Sequence, residues 1–321
     1  KNKRITKEGL IIKTSGGLTD DWTFRRYKPE TVWAFLPIKK PTPPIEGINP
    51  IDAFVHAKIK ATQFEPAPRA DLRTLIRRVS YDLIGLPPTP NEVAEFIASA
   101  QEDFDSAYST LIERLLASTQ HGERWAQHWL DVARYADTGG LSNDYERSNA
   151  WRYRDYVIRA FNEDKPYNEF IMEQIAGDEL ADKSLRERVG DNDNYQKLRR
   201  KGHYSSKEAE QMIASSFLRM GPWDPAMVKA PEARQQYIDD VVNAVGQTFL
   251  STTMRCFKCH DHKFDPLPTK DYYRIYSIFA GTQLAERHAS WQKHDNKTGL
   301  EAATAQAPLL PTFAAPQASR P

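Results

Sequence analysis

Apolar residues return at helical spacing in stretch after stretch of this chain, and no convincing run of strict alternation appears, so helices are what it is most constrained to form. Ile51, Phe54, Val55 and Ile59 fall on one helical face. Leu72, Leu75, Ile76, Val79 and Leu83 repeat that spacing until Gly85-Leu86-Pro87-Pro88 stops it. Thr89-Pro90-Asn91-Glu92 spells a capping box with proline at the first helical position, predicting a helix through Ile97. Further amphipathic stretches fall near residues 104–117, 119–137, 150–162, 166–176, 206–219, 231–250 and 269–280. The pattern predicts a mainly α fold, an irregular multi-helix domain with long loops. Residues 1–50 read as an extended Pro-rich lead-in, 51–290 as the helical domain and 291–321 as an Ala/Pro-rich tail, extended or disordered. Within the domain, the polar run at about 182–205 predicts a loop or flexible insertion.

One pentapeptide carries chemistry. Cys256-Phe257-Lys258-Cys259-His260 uses both cysteines of the chain and spells C-x-x-C-H, the spacing of covalent c-type haem attachment. Two thiols three residues apart can each form a thioether with one vinyl group of a porphyrin, and the next histidine supplies the iron's fifth ligand. Three rivals stand beside this reading. A thioredoxin-like dithiol belongs after a strand, whereas Val241, Val242, Val245 and Phe249 precede this motif at helical spacing. Structural zinc needs four ligands, and no second thiol pair exists. A local disulfide does not account for the histidine. The expected fold is therefore a helical domain carrying one covalent haem c.

The composition of the 321 residues, 40% hydrophobic and 27% charged, is that of an ordinary globular chain. With 44 basic and 43 acidic side chains, no global field points to nucleic acid. No apolar run is long enough to be a transmembrane segment. Haem c is attached outside the cytoplasm, yet the chain starts at Lys1 with no signal peptide, which predicts a processed chain or a fragment.

Around the motif, His260 is the expected proximal ligand. Its other ring nitrogen should donate to a backbone carbonyl, with the turn Asp265-Pro266-Leu267-Pro268 as the source. His128 is preferred for the sixth position. On the 119–137 helix it shares a face with Trp125, Trp129, Val132 and Ala136, so its imidazole is expected to point into an aromatic pocket; the plainer alternative is a core histidine. An open site ranks second and Met220 third, with Met212 and Met227 read as packing residues. Arg134, Arg152 and Arg154 are candidates for the haem propionates, with ordinary ion pairs as the alternative. Lys258, Asp261 and Lys263 would charge the haem edge. Asp131, Asp137, Asp144 and Glu146 are acids near the His128 helix. Asp239-Asp240 suggests either a cation site or charges complementing a helix dipole.

The words WAFLPIKKP at 33–41, LIGLPPTP at 83–90, GERWAQHWLDVARYADT at 122–138, NAWRYRDYVIRAFNEDKPY at 149–167, IAGDEL at 175–180 and CFKCHDHKFDPLPTKDYY at 256–273 together carry a resemblance. The chain resembles the second planctomycete cytochrome c-like domain, a family long labelled as of unknown function. In such proteins this domain lies between an N-terminal cytochrome domain and another uncharacterised domain. The resemblance implies an exported, haem-associated redox protein and supplies no known reaction. The expectation is a periplasmic or otherwise extracytoplasmic monohaem module, an electron carrier rather than a catalyst. Its partners would be redox proteins or subunits of a larger complex. The alternatives are a haem-dependent oxidoreductase acting on a carbohydrate-derived substrate and a haem-bearing structural subunit.

Overall fold

A computed structural model of the protein describes residues 4–6, 9–11, 26–27, 32–62, 64–141, 144, 146–147, 149–222, 231–288 and 309–314. Its elements are mainly helical. In chain order the α-helices are α1 (Pro50–Ala61), α2 (Leu72–Ile84), α3 (Pro90–Glu102), α4 (Phe104–Leu116), α5 (Thr119–Ala133), α6 (Trp151–Asn162), α7 (Tyr167–Val189), α8 (Asp193–Lys201), α9 (Ser206–Ala214), α10 (Pro231–Leu250) and α11 (Thr269–Phe279). Short 3-10 turns follow at Ser215–Arg219 and Met254–Phe257. Three short strands, β1 (Arg4–Thr6), β2 (Gly9–Ile11) and β3 (Arg26–Tyr27), pair antiparallel in the order β1-β2-β3. Strands β4 (Gln283–His288) and β5 (Leu309–Ala314) form an antiparallel pair with Gln283 opposite Ala314. Strands β1 to β3 are too short to leave an alternating pattern in the sequence.

Local chemistry explains where the helices start and stop. At α3 the Thr89 N–H donates to Glu92 Oε2 at 2.7 Å and the Glu92 N–H returns to Thr89 Oγ1 at 3.3 Å. Asp71 caps α2 through the Thr74 N–H, and Asp103 caps α4 through the Ser106 N–H. Gly85 ends α2 in the left-handed region at φ 72°, where a side chain would be strained.

Among the described residues, packing divides into two large apolar cores, with Tyr27 and Val32 as a small third cluster. Helices α2 to α4 enclose Ile76, Phe96, Ala100, Leu111 and Leu115. The larger core spans α5 to α11 and buries Tyr153, Tyr156, Met212, Phe217, Val242, Met254, Phe257 and Tyr272. Helix α5 bridges them: His121 Nδ1 lies 2.9 Å from the Leu83 carbonyl, while Trp129 packs on Phe170 and Phe249.

The first helix forms where the spacing predicts it, and the run 182–205 is where an expectation is corrected. The apolar face of the first helix stays at the surface, with Ile51, Phe54 and Val55 73%, 39% and 48% exposed and only Ala53 buried. Periodicity specifies a stripe, not the neighbour that covers it. The run 182–205 is helical rather than a loop. Helix α7 continues to Val189 across a kink at Ala176 (φ −140°), and α8 follows. Its charges pair between helices: Arg199 Nε to Asp182 at 2.8 Å, and Arg188 Nη2 to Glu208 at 2.9 Å. Tyr195 is buried beneath them.

Candidate functional site

Helix α10 delivers the C-x-x-C-H motif. After Leu250 the chain reverses at Ser251 (φ 49°), and the Thr252 N–H returns to the Gly246 carbonyl at 3.0 Å. The chain then winds into the 3-10 turn Met254–Phe257, which passes into a further turn at Lys258 and Cys259. With three residues per turn, positions i and i+3 share a side. Met254 and Phe257 form the inner side, 2% and 1% exposed. Cys256 and Cys259, also i and i+3, are both exposed free thiols. Burial of the inner pair therefore aims the thiols outward. Gly246 makes room for this: a Cβ there would meet Met254 Cγ at 2.1 Å.

His260 is exposed, and its Nδ1 lies 2.8 Å from the Asp261 carbonyl. Donation to that carbonyl places the imidazole lone pair on Nε2, the arrangement a ligating histidine needs. The carbonyl belongs to the adjacent residue, not to the proline turn at 265–268 as the sequence suggested. That turn serves His262 instead: the His262 N–H donates to the Leu267 carbonyl at 2.9 Å, and the Asp265 N–H donates to His262 Nδ1 at 2.9 Å. Tyr27 of β3 closes over the turn, its hydroxyl donating to the Asp265 carbonyl at 2.9 Å.

Asp261 is 2% exposed, and its carboxylate accepts the Thr269 N–H at 2.7 Å. It thus caps α11, whose own N-cap Pro268 makes no side-chain bond. This corrects its expected place among the edge charges. Lys258 also reaches inward, its Nζ 3.1 Å from Asp239 Oδ2. Tyr272 donates its hydroxyl to Asp239 Oδ1, and burial together with that carboxylate pushes the phenol well above its usual range. Lys263 stays exposed against the Phe264 ring.

Asp239 and Asp240 stand well inside α10 and each is committed to cations, so they do not complement the helix dipole. Asp240 accepts from Arg134 Nη1 at 2.7 Å and lies 3.8 Å from Arg255 Nη2. Arg134, left-handed at φ 61° at the end of α5, is therefore one carboxylate away from the residue preceding Cys256. Sequence reasoning weighed Asp239 and Asp240 only as a local pair. Lys258 lies 19 positions and Tyr272 33 positions from Asp239 in the chain, a separation that leaves no sequence signal.

The other candidates stand elsewhere. His128 is exposed on α5, its ring edge-on to Trp125 at 5.7 Å. The expected aromatic pocket is a correction: Trp129 packs against the core while Trp125 and Val132 are 39% and 46% exposed, and α5 ends at Ala133, before Ala136. Arg152 is 7% exposed, with its Nε 3.0 Å from Asn149 Oδ1 and its guanidinium over the Trp151 ring; desolvation lowers its pKa to about 10. Arg154 is exposed and paired with Asp155 at 2.8 Å, which raises its pKa. Among the described residues, no hydrogen bond or ion pair ties His128, Arg152 or Arg154 to the motif. Met212 and Met220 are core residues, and Met227 lies outside the described residues. Asp137 accepts from the Tyr135 hydroxyl at 2.6 Å, and Asp144 accepts the Gly140 N–H at 2.8 Å. Among the described residues, no group of three or more His, Cys, Asp and Glu side chains is placed to hold a metal ion. No described helix is long and apolar enough to cross a membrane.

The fold and the motif define a class: a mainly helical domain presenting two exposed thiols and a histidine on one surface turn. A family model described as PSCyt2, protein of unknown function (DUF1549), matches residues 50–284, and the chain belongs to that family. No curated protein and no solved structure matches the chain.

Proposed function

We propose that the protein is a monohaem c-type electron-transfer module, exported and working between extracytoplasmic redox partners. The observation that carries this reading is the turn at 254–260. Cys256 and Cys259 are exposed free thiols three positions apart, and His260 has its Nδ1 at the Asp261 carbonyl. That donor set fits haem c. The two Sγ atoms would hold the porphyrin as thioethers, and His260 Nε2 would be a ligand to its iron.

Bound there, haem c supplies a one-electron iron couple. The chain's contribution is to hold the donors in place. Asp261 orients His260 with its carbonyl while its carboxylate fixes the start of α11, so the ligand's aim is tied to a helix. Donation from Nδ1 to a carbonyl also raises the basicity of Nε2 and favours the oxidised metal.

His128 is the histidine proposed for the sixth position. His121 is engaged with the Leu83 carbonyl and His262 with its own turn, whereas His128 is exposed and, among the described residues, makes a ring contact to Trp125 and no hydrogen bond. The test is production of the full chain with an export signal in a host that attaches haem c, followed by haem staining after denaturing electrophoresis. The native chain is expected to stain and the variant carrying Cys256→Ala and Cys259→Ala to lose the stain. A native chain that exports, folds and does not stain refutes the proposal.

A further inference from the structure

Lys258 stands between the two thiols, one residue before Cys259 and two before His260. Its side chain turns inward: only 28% exposed, it brings Nζ to 3.1 Å from Asp239 Oδ2 on α10. The Asp239 side chain is 14% exposed and also accepts the hydroxyl of Tyr272, a fully buried residue of α11. One carboxylate thus joins α10, the motif turn and α11. Phe257 anchors the same turn by burial, so both residues between the cysteines are held from the inner side.

Charge withdrawn from water beside the motif acts differently from charge on its rim. Lys263, three positions after His260, is exposed against the Phe264 ring, where water and salt screen it. Asp239 and Lys258 are largely shielded from solvent, and a pair in that setting is screened much less. The next carboxylates have partners of their own: Asp240 has Arg134 and Arg255, and Asp261 accepts the Thr269 N–H. An iron porphyrin carries one more positive charge oxidised than reduced. A nearby carboxylate therefore favours the oxidised form and a nearby ammonium the reduced form.

We infer, resting on the haem of the proposed function, that Asp239 and Lys258 set its reduction potential with opposite signs: Asp239 lowers it and Lys258 raises it. Neither side chain is a ligand. Both act through charge that the fold fixes beside the ligands, and the Tyr272 hydroxyl keeps the carboxylate in place.

The experiment measures midpoint potentials of the haem-loaded full chain for the native protein, Asp239→Asn, Lys258→Gln and the double variant. Asparagine still accepts from Tyr272 and glutamine still donates to Asp239, so charge is what each replacement removes. Asp239→Asn is expected to raise the potential, Lys258→Gln to lower it, and the double variant to return close to the native value. High salt should leave these shifts in place and erase the smaller shift of Lys263→Gln. Shifts of one sign in both single variants mean a loosened turn and overturn the inference. So do the absence of a shift in either and shifts that high salt erases. Denaturant midpoints of the haem-free chains check folding and the pair itself: the two single changes should couple, and full additivity overturns the pair. Failure of the proposed function is read separately, from a native chain that takes no haem stain.

Discussion

Met254 and Phe257 do the work of placing Cys256 and Cys259. Both apolar side chains are buried on the inner side of one 3-10 turn, and the exposed thiols flank Phe257. Loss of the inner anchor should therefore be felt as loss of stability. Phe257→Ala is expected to cost about 3–5 kcal/mol, measured from the denaturant midpoint at unchanged slope. Gly246→Ala forces a Cβ against Met254 Cγ and is expected to cost about 1–3 kcal/mol. Combining it with Met254→Ala should cost less than the sum of the two single changes, because the smaller side chain vacates the space the new methyl needs. Strict additivity in that cycle would mean that the contact does not set the turn. At this scale the sequence was legible in the thiols and His260, since their spacing is itself the signal. The carbonyl orienting His260 was not legible: which carbonyl lies 2.8 Å from Nδ1 depends on the turn, and a residue's own neighbour leaves no pattern.

Among the elements, helices whose caps and stripes agree were the readable ones. Thr89 and Glu92 announce α3 because both partners of the cap lie within one turn of sequence. Helices α7 and α8 left no apolar period over 182–205 because their few core residues, Leu185 and Tyr195 among them, stand among charges that pair between helices. Asp182 meets Arg199, and Arg188 meets Glu208, across 17 and 20 positions. The Glu208 carboxyl is 1% exposed. Burial pushes its pKa up, but donation from Arg188, the Ser205 N–H and the Ser184 hydroxyl outweighs it and holds the value below the usual 4.5. A carboxyl lowered in the folded state stabilises above its unfolded value and loses that contribution as pH falls through the folded one. The native chain should therefore lose stability on acidification below about pH 4.5. Glu208→Gln should be less stable at pH 7 and show a shallower acid limb, measured by denaturant midpoints from pH 3 to 7. An unchanged acid limb would exclude Glu208 as a contributor.

Across the whole molecule, α5 joins the small α2–α4 core to the large one and carries two groups with different prospects. His128 stands exposed on it, and Arg134 at its end is linked through Asp240 to Arg255 beside the motif. If His128 fills the sixth position, His128→Ala converts a six-coordinate low-spin spectrum into a high-spin one, and an unchanged spectrum removes it from the site. The helical class was legible at this scale because the apolar period recurs from residue 51 onward. The covering of each face was not: α1 carries the same stripe as α2, yet Ile51 is 73% exposed while Ile76 is fully buried. The central claim is that the outward thiols and His260 hold one covalent haem. Its most direct test is an absorption spectrum of the purified full chain, oxidised and dithionite-reduced, together with haem staining after denaturing electrophoresis. Sharp reduced bands on a stained polypeptide, indifferent to carbon monoxide, are the predicted result for a six-coordinate electron carrier. A folded, exported chain with no haem absorbance and no stain, made in a host competent for attachment, would contradict it.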